Sequence, residues 1–303
     1  MRQERGEDAQ AAGQQDGHDD QHQHRAVGRE QRPHPAAQPG VPVLRHDGEY
    51  VGARRGPRAG RGVSGLTPDA LVFTGDLADH GAPEEYRRLR TLLGSTPVPT
   101  IFVAGNHDDR AALREHLLGA DVCAEPYDHV VRLGDLRVVV LDSSVPGRAY
   151  GDLRPEQLAW LRAELAEPAP AGTVLALHHP PLPNAFPLAA AMELQNRAEL
   201  ADAIAGTDVR IVLAGHTHVV SAGAIAGVPV WTGGAAPYLM DALAPAGGGR
   251  ALRVPTISRI DLFDDAVIAT AVPVDAPDLG TAPAEVVEAQ TARMLAELAE
   301  RIT

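Results

Sequence analysis

Four short stretches of the chain put ligating or acid–base side chains directly after apolar runs. Ala70–Thr74 is followed by Gly75-Asp76-Leu77-Ala78-Asp79, and Thr100–Ala104 by Gly105-Asn106-His107-Asp108-Asp109. Thr173–Leu177 leads into His178-His179-Pro180-Pro181, and Val209–Ala214 into Gly215-His216-Thr217-His218. Carboxylate, amide and imidazole donors without a thiolate suit Mn, Fe or Zn, and a carboxylate can bridge two ions. Glycine at a strand end lets the backbone turn tightly. Each motif alone has a plainer reading, because Gly-Asp and Gly-Asn pairs are common turns and a lone histidine after a strand usually packs structurally. Four in succession are hard to explain that way, and they predict a metal site.

Something must bring the four together. From Leu66 onward, short apolar segments alternate with helical ones. The pattern predicts strands at 70–74, 100–104, 137–142, 173–177, 209–214, 228–232, 256–263 and 266–273. Helices are predicted at 83–94, 110–118, 155–166 and 195–205, the third opened by Pro155-Glu156. Near-continuous apolar strands alternating with helices indicate an α/β fold whose sheet is covered on both faces. In such sheets ligands bind beyond the carboxyl ends of strands, which is where all four motifs lie. The stretch 283–302 has apolar residues at helical spacing; it is expected to pack on the surface, to cap the domain, or to join a homodimer interface.

Residues 1–65 differ in kind. They are rich in Gln, Arg, Gly, His and Pro, hold five of the thirteen histidines, and show neither helical nor strand periodicity. They read as disordered, with His18, His22 and His24 in a solvated tail. The whole chain, 303 residues with 44% hydrophobic and 22% charged, can bury a sizeable core. Its formal charge of −13 disfavours nucleic acid and anionic membrane as partners. An acidic protein that handles phosphates needs metal ions to supply positive charge. No run reaches the ~18 apolar residues of a membrane span. No apolar signal segment opens the chain, and the single cysteine, Cys123, agrees with a cytoplasmic location. All 27 basic residues are arginine, as a GC-rich genome would produce.

The ordered motifs GDLAD (75–79), GNHD (105–108), HHPP (178–181) and GHTH (215–218) resemble those of the calcineurin-like metallophosphoesterases. The stretches PDALVFTGDLADHG, AGNHDDR, LDSSVPG and LALHHPPLP are similar to the bacterial class III cyclic nucleotide phosphodiesterases. The resemblance is close over about 64–235 and implies a four-layer αββα sandwich of two mixed sheets. It implies two divalent or trivalent metal ions, Fe and Mn foremost and Zn as an alternative. Asp76 matches the carboxylate that bridges both ions. Asn106, His178 and His216 match the other ligands of the second ion, and His218 a ligand of the first. His107 matches the histidine that contacts the phosphate and helps expel the leaving oxygen, and Asp79 a carboxylate that orients it. Asp108 and Asp109 are expected to cap the following helix, and His179 to pack in its loop.

One part of the pattern is missing. The family's first motif, an apolar strand ending in Asp-x-His, supplies two ligands of the first ion and should lie roughly forty residues before Asp76. No Asp-x-His follows a strand there, and His46-Asp47 after Val41–Leu44 is the nearest substitute. The first strand of the sheet is therefore expected to be missing or garbled. Residues 1–63 have the composition of GC-rich DNA read in a shifted frame, with the catalytic domain at 64–275 and a C-terminal helix at 276–303. The expected activity is hydrolysis of a small phosphodiester, 3′,5′-cyclic AMP to 5′-AMP, by a hydroxide held between two ions. The alternatives are a 2′,3′-cyclic nucleotide or general phosphodiesterase, and a catalytically impaired metal- or nucleotide-binding protein.

Overall fold

The computed structural model describes residues 41–45, 68–94, 96–184, 187–244, 248–274, 280 and 282–302. In chain order its strands are β1 Val41–Arg45, β2 Ala70–Phe73, β3 Thr100–Phe102, β4 His129–Leu133, β5 Leu136–Val140, β6 Thr173–Ala176 and β7 Val209–Ala214. They continue as β8 Ser221–Ile225, β9 Val228–Thr232, β10 Leu239–Met240, β11 Ala251–Leu252, β12 Thr256–Leu262 and β13 Val267–Pro273. The helices are α1 Pro83–Leu93, α2 Arg110–Ala112, α3 Pro155–Glu164, α4 Pro187–Ala190, α5 Arg197–Ile204 and α6 Ala284–Ile302. Helix α2 runs on as a wider π turn over Leu113–Leu118 and ends at Gly119, whose φ of 66° is left-handed.

The strands form a mixed five-stranded sheet, β13-β12-β1-β2-β3, and a mixed six-stranded sheet, β4-β5-β6-β7-β9-β8. Period-two alternation decides what each face meets. Val138 and Val140 of β5 and Ile211 and Leu213 of β7 turn inward to Val72, Ile101 and Ile260, forming the core between the sheets. Val139, Leu175 and Val212 turn outward to Leu158 and Leu161 of α3 and Leu200 and Ile204 of α5. On the other side Phe73 and Phe102 meet Tyr86 and Leu89 of α1 and Leu113 and Leu117 of the π turn. The result is the expected four layers, helix–sheet–sheet–helix. Burying each of these Val, Leu or Phe side chains is worth roughly 1.5–3 kcal/mol. Helix α6 stands apart, with Val286, Val287, Met294 and Leu295 all exposed.

The eight predicted strands and four predicted helices are present, with ends shifted by one or two residues, more in α2. Strands β4, β8, β10 and β11 and the short α4 are additions. Residues 1–40 and 46–67, with His18, His22, His24, His46 and Asp47, lie outside the described residues. The expectation for the N-terminal segment needs one correction: Val41–Arg45 is a strand, and it fills the slot between β12 and β2. Val41 is opposite Val72 and Val43 opposite Ala70, antiparallel to β2, while Val43 pairs with Ile260 of β12 in parallel. The C-terminal end of β1 therefore lies at the end of β2 away from Gly75. Pro42, which has no N–H to give a central strand, is why this segment looked unlike one.

Candidate metal centre

The parallel pair β2–β3 in one sheet and the parallel pair β6–β7 in the other end side by side. Their four following turns bring the predicted donors to one place. His178 is fully buried, and its Nδ1 lies 2.7 Å from the Thr74 carbonyl. A carbonyl only accepts, so Nδ1 carries the proton and Nε2 faces the centre. Around Nε2 stand Asn106 Oδ1 at 3.0 Å, His216 Nδ1 at 3.1 Å and Asp76 Oδ1 at 3.3 Å. Asp76 Oδ1 also accepts the His107 N–H at 3.1 Å. Four lone-pair donors from four strand ends thus meet, three of them within 3.3 Å of the fourth, His178 Nε2, a set that a cation would satisfy.

The backbone is bent to make this fit. Four described non-glycine residues have left-handed φ, and three are Asp76 (50°), His216 (69°) and His218 (56°). Such a conformation costs on the order of 1–3 kcal/mol per residue and persists where the surroundings impose it. The fourth, Ala226, sits in the β8–β9 turn. Space is equally tight. A Cβ on Gly105 would lie 2.2 Å from Asp76 Oδ1, and one on Gly75 2.2 Å from His178 Nδ1.

The charges follow from the packing. Burial opposes ionisation of both Asp76 and His178, but each stabilises the other's charge. Asp76 is held far below the usual carboxylate range and His178 is raised above the usual imidazole value. Burial, reinforced by the charge of His178, pushes His216 down to about 3. Burial likewise lowers His218 to about 4, against the pull of Asp76. Both imidazoles are therefore neutral at pH 7, with lone pairs available to a cation.

His218 is half-buried, its ring centroid 4.5 Å from that of Tyr238. His107 lies at the mouth, its side chain 48% exposed. Its Nδ1 meets the main-chain carbonyl of Asp79 at 2.8 Å, whereas the Asp79 carboxylate is 4.0 Å away and 3.3 Å from His80. In this structure, then, the carbonyl rather than the expected carboxylate holds the His107 ring. The carbonyl is itself anchored, because Glu85 in the first turn of α1 accepts the N–H groups of Asp79, His80 and Ala82.

Asp109 caps α2 as expected, accepting the Ala112 N–H at 2.8 Å. Asp108 does not. Its Oδ2 accepts from Leu77 N and Gly105 N, and its Oδ1 from Ala78 N and the Tyr86 hydroxyl, at 2.8–3.1 Å. It clamps the Asp76 turn to the Asn106 turn, and Tyr86 in turn accepts the Asp109 N–H. Burial and the nearby Asp76 charge raise its pKa to about 7.

His179 is also more than loop packing. With His178 and His216 it forms a group whose ring nitrogens lie within 4.8 Å of one another, and its Nδ1 lies 2.9 Å from Ser143 Oγ. Burial pushes it down to about 2. A buried ion pair, Arg110 Nε to Asp142 Oδ2 at 2.7 Å, joins the start of α2 to the turn after β5 that carries Ser143. The apolar run before Asp142 marks that turn in the sequence, but no motif marks the partners of Asp108, Arg110 or Tyr238.

Residues 57–220 match the calcineurin-like phosphoesterase family. Over 215 residues the chain is 44% identical to the cAMP/cGMP dual specificity phosphodiesterase MT0825 of Mycobacterium tuberculosis, covering 69% of this chain and 68% of that one. Over 219 residues it is 43% identical to a "Probable cyclic nucleotide phosphodiesterase" of Rhodococcus erythropolis, covering 71% and 73%. The glycerophosphodiester phosphodiesterase GpdQ of Enterobacter lignolyticus is 38% identical over 120 residues, covering 38% and 43%. With half the chain inside the family pattern and relatives at this identity, the chain belongs to the calcineurin-like phosphoesterase family.

Proposed function

We propose that this chain is a metal-dependent phosphodiesterase that converts 3′,5′-cyclic AMP to 5′-AMP. The observation that carries the reading is the convergence of Asp76, Asn106 and His216 on His178 Nε2. The family implies divalent metal ions, and this oxygen-and-imidazole set fits them; Mn and Fe suit it, and Zn also. One ion would be held by Asp76, Asn106, His178 and His216, and a second would be reached by Asp76 and His218. When bound, such ions act as Lewis acids that ease deprotonation of water and offset the phosphate charge.

The chain's own groups do the rest. His178, locked by the Thr74 carbonyl, presents one fixed nitrogen. His107, with Nδ1 held by the Asp79 carbonyl, turns Nε2 toward the opening. As a water oxygen that has released one proton to solvent bonds to phosphorus and the bond to the 3′ oxygen breaks, His107 in its protonated form gives that 3′ oxygen a proton. Asp79 helps to hold the ring through its carbonyl.

In this reading the catalytic domain is 64–275 together with β1, residues 1–63 add no ligand, and the C-terminal helix α6, Ala284–Ile302, plays no part in the site. The second ion then lacks the two ligands of an Asp-x-His strand. The reversed run of β1 supports this, since Arg45 lies at the far end of β2. The chain would bind one ion firmly and the other weakly. The relation to GpdQ favours a second reading, a broader phosphodiesterase. Purified protein with Mn²⁺ should be assayed against 3′,5′-cyclic AMP, 2′,3′-cyclic AMP and a glycerophosphodiester. Preference for 3′,5′-cyclic AMP supports the first reading; preference for either other substrate overturns it.

A further inference from the structure

The turn that carries His216 and His218 is left-handed at both histidines and follows the last residue of β7. One element that lies against His218 comes from well beyond this turn in the chain. The two-stranded hairpin β10–β11 pairs with neither main sheet among the described residues. Its first strand and the residue before that strand each touch His218. The Met240 N–H donates to the His218 carbonyl at 2.9 Å. The ring of Tyr238, immediately before β10, lies 4.5 Å from the imidazole, tilted by 59°. The hairpin is stapled at the loop end of its strands, where the Asp241 N–H donates to the Arg250 carbonyl at 2.8 Å and Arg250 pairs with the Asp241 carboxylate. The loop that leads to it is packed tightly, since a Cβ on Gly234 would lie 2.4 Å from Leu239 Cδ2.

We infer that the β10–β11 hairpin is the positioning element for His218, and that the ring of Tyr238 holds the imidazole in the direction needed to ligate an ion. The inference rests on the metal reading above. Tyr238 acts through His218, so it is a positioning residue, and the ring rather than the hydroxyl carries the contact. Removing a partner that orients a metal-binding histidine typically weakens metal affinity by about 10–100-fold.

The test is a Zn²⁺ titration of the full chain with labelled histidines, followed residue by residue in NMR spectra. In Tyr238→Leu the midpoint for His218 should move at least about tenfold to higher Zn²⁺. The midpoints for His178 and His216 should stay in place, which also shows that the variant is folded. Tyr238→Phe, which keeps the ring, should titrate like the wild type. A His218 midpoint unchanged in Tyr238→Leu overturns the inference and leaves the metal reading intact, as does an equal shift of all three histidines. A wild-type chain in which none of the three responds to Zn²⁺ overturns the metal reading, and this inference with it.

Discussion

Asp108 offers a sharp test of how the centre is held. Its two carboxylate oxygens accept four hydrogen bonds, from Leu77 N, Ala78 N, Gly105 N and the Tyr86 hydroxyl. Asp108→Asn keeps the size but turns one oxygen into a donor. Facing the amide toward Leu77 and Gly105 would set it against two N–H groups. Facing it toward Ala78 and Tyr86 is milder, because the hydroxyl can rotate to accept. One backbone N–H still loses its partner, and the remaining bonds lose their charge. A hydrogen bond to a charged group is worth about 1.5–3 kcal/mol and an orphaned enclosed donor costs about 1–3 kcal/mol, so the substitution should cost about 2–4 kcal/mol. For a domain of this size, about 3 kcal/mol lowers Tm by about 6–12 °C. Scanning calorimetry in chelator, at a pH well above the value of about 7 to which burial raises Asp108 so that the carboxylate is ionised, separates this from any metal effect. Asp109→Asn is the control, since Asn caps a helix as well as Asp, and it should stay within about 0.5 kcal/mol of the wild type. An Asp108→Asn protein as stable as that control would refute the clamp.

The other expectations are briefer. Gly105→Ala should cut Mn²⁺ binding measured by equilibrium dialysis, because its Cβ would lie 2.2 Å from Asp76 Oδ1; unchanged binding would mean that the turn relaxes freely. Asp76→Ala should lose both metal and hydrolysis, and retained metal content by elemental analysis would remove it from the ligand set. His107→Ala should keep its metal yet slow alkyl diesters by about 10²–10⁴-fold while sparing nitrophenyl esters; equal losses on both would argue against an acid role. Arg110→Ala leaves Asp142 buried and unpaired and should cost about 3–5 kcal/mol in urea unfolding, and a loss under 1 kcal/mol would contradict the importance given to that pair.

What could be seen in the sequence, and what could not, follows from range. Strands such as Val209–Ala214 announce themselves as apolar runs, and Asp76, Asn106, His178 and His216 stand out because polar donors directly follow such runs. The edge strand His129–Leu133 is half-buried along most of its length and mixes His and Arg with its valines, so no run appears. Ser221–Ile225, largely exposed and holding a glycine, is equally quiet. The clamp at Asp108 depends on N–H groups 30 and 31 residues away, and the Arg110–Asp142 pair spans 32 residues; no local pattern encodes either. Asp108 looked like a helix cap because its neighbour Asp109 is one. Tyr238 belongs to no motif, and only the fold sets its ring against His218.

The claim that matters most is that this cluster, loaded with metal, breaks a cyclic phosphodiester. The direct measurement is ³¹P NMR of 3′,5′-cyclic AMP incubated with the purified, Mn²⁺-loaded chain, with Asp76→Ala run in parallel. The cyclic diester signal should give way to that of 5′-AMP in the wild type and persist in Asp76→Ala. A cyclic signal that persists in both, from protein whose metal content has been verified, would contradict the account, as would equal conversion by the two proteins.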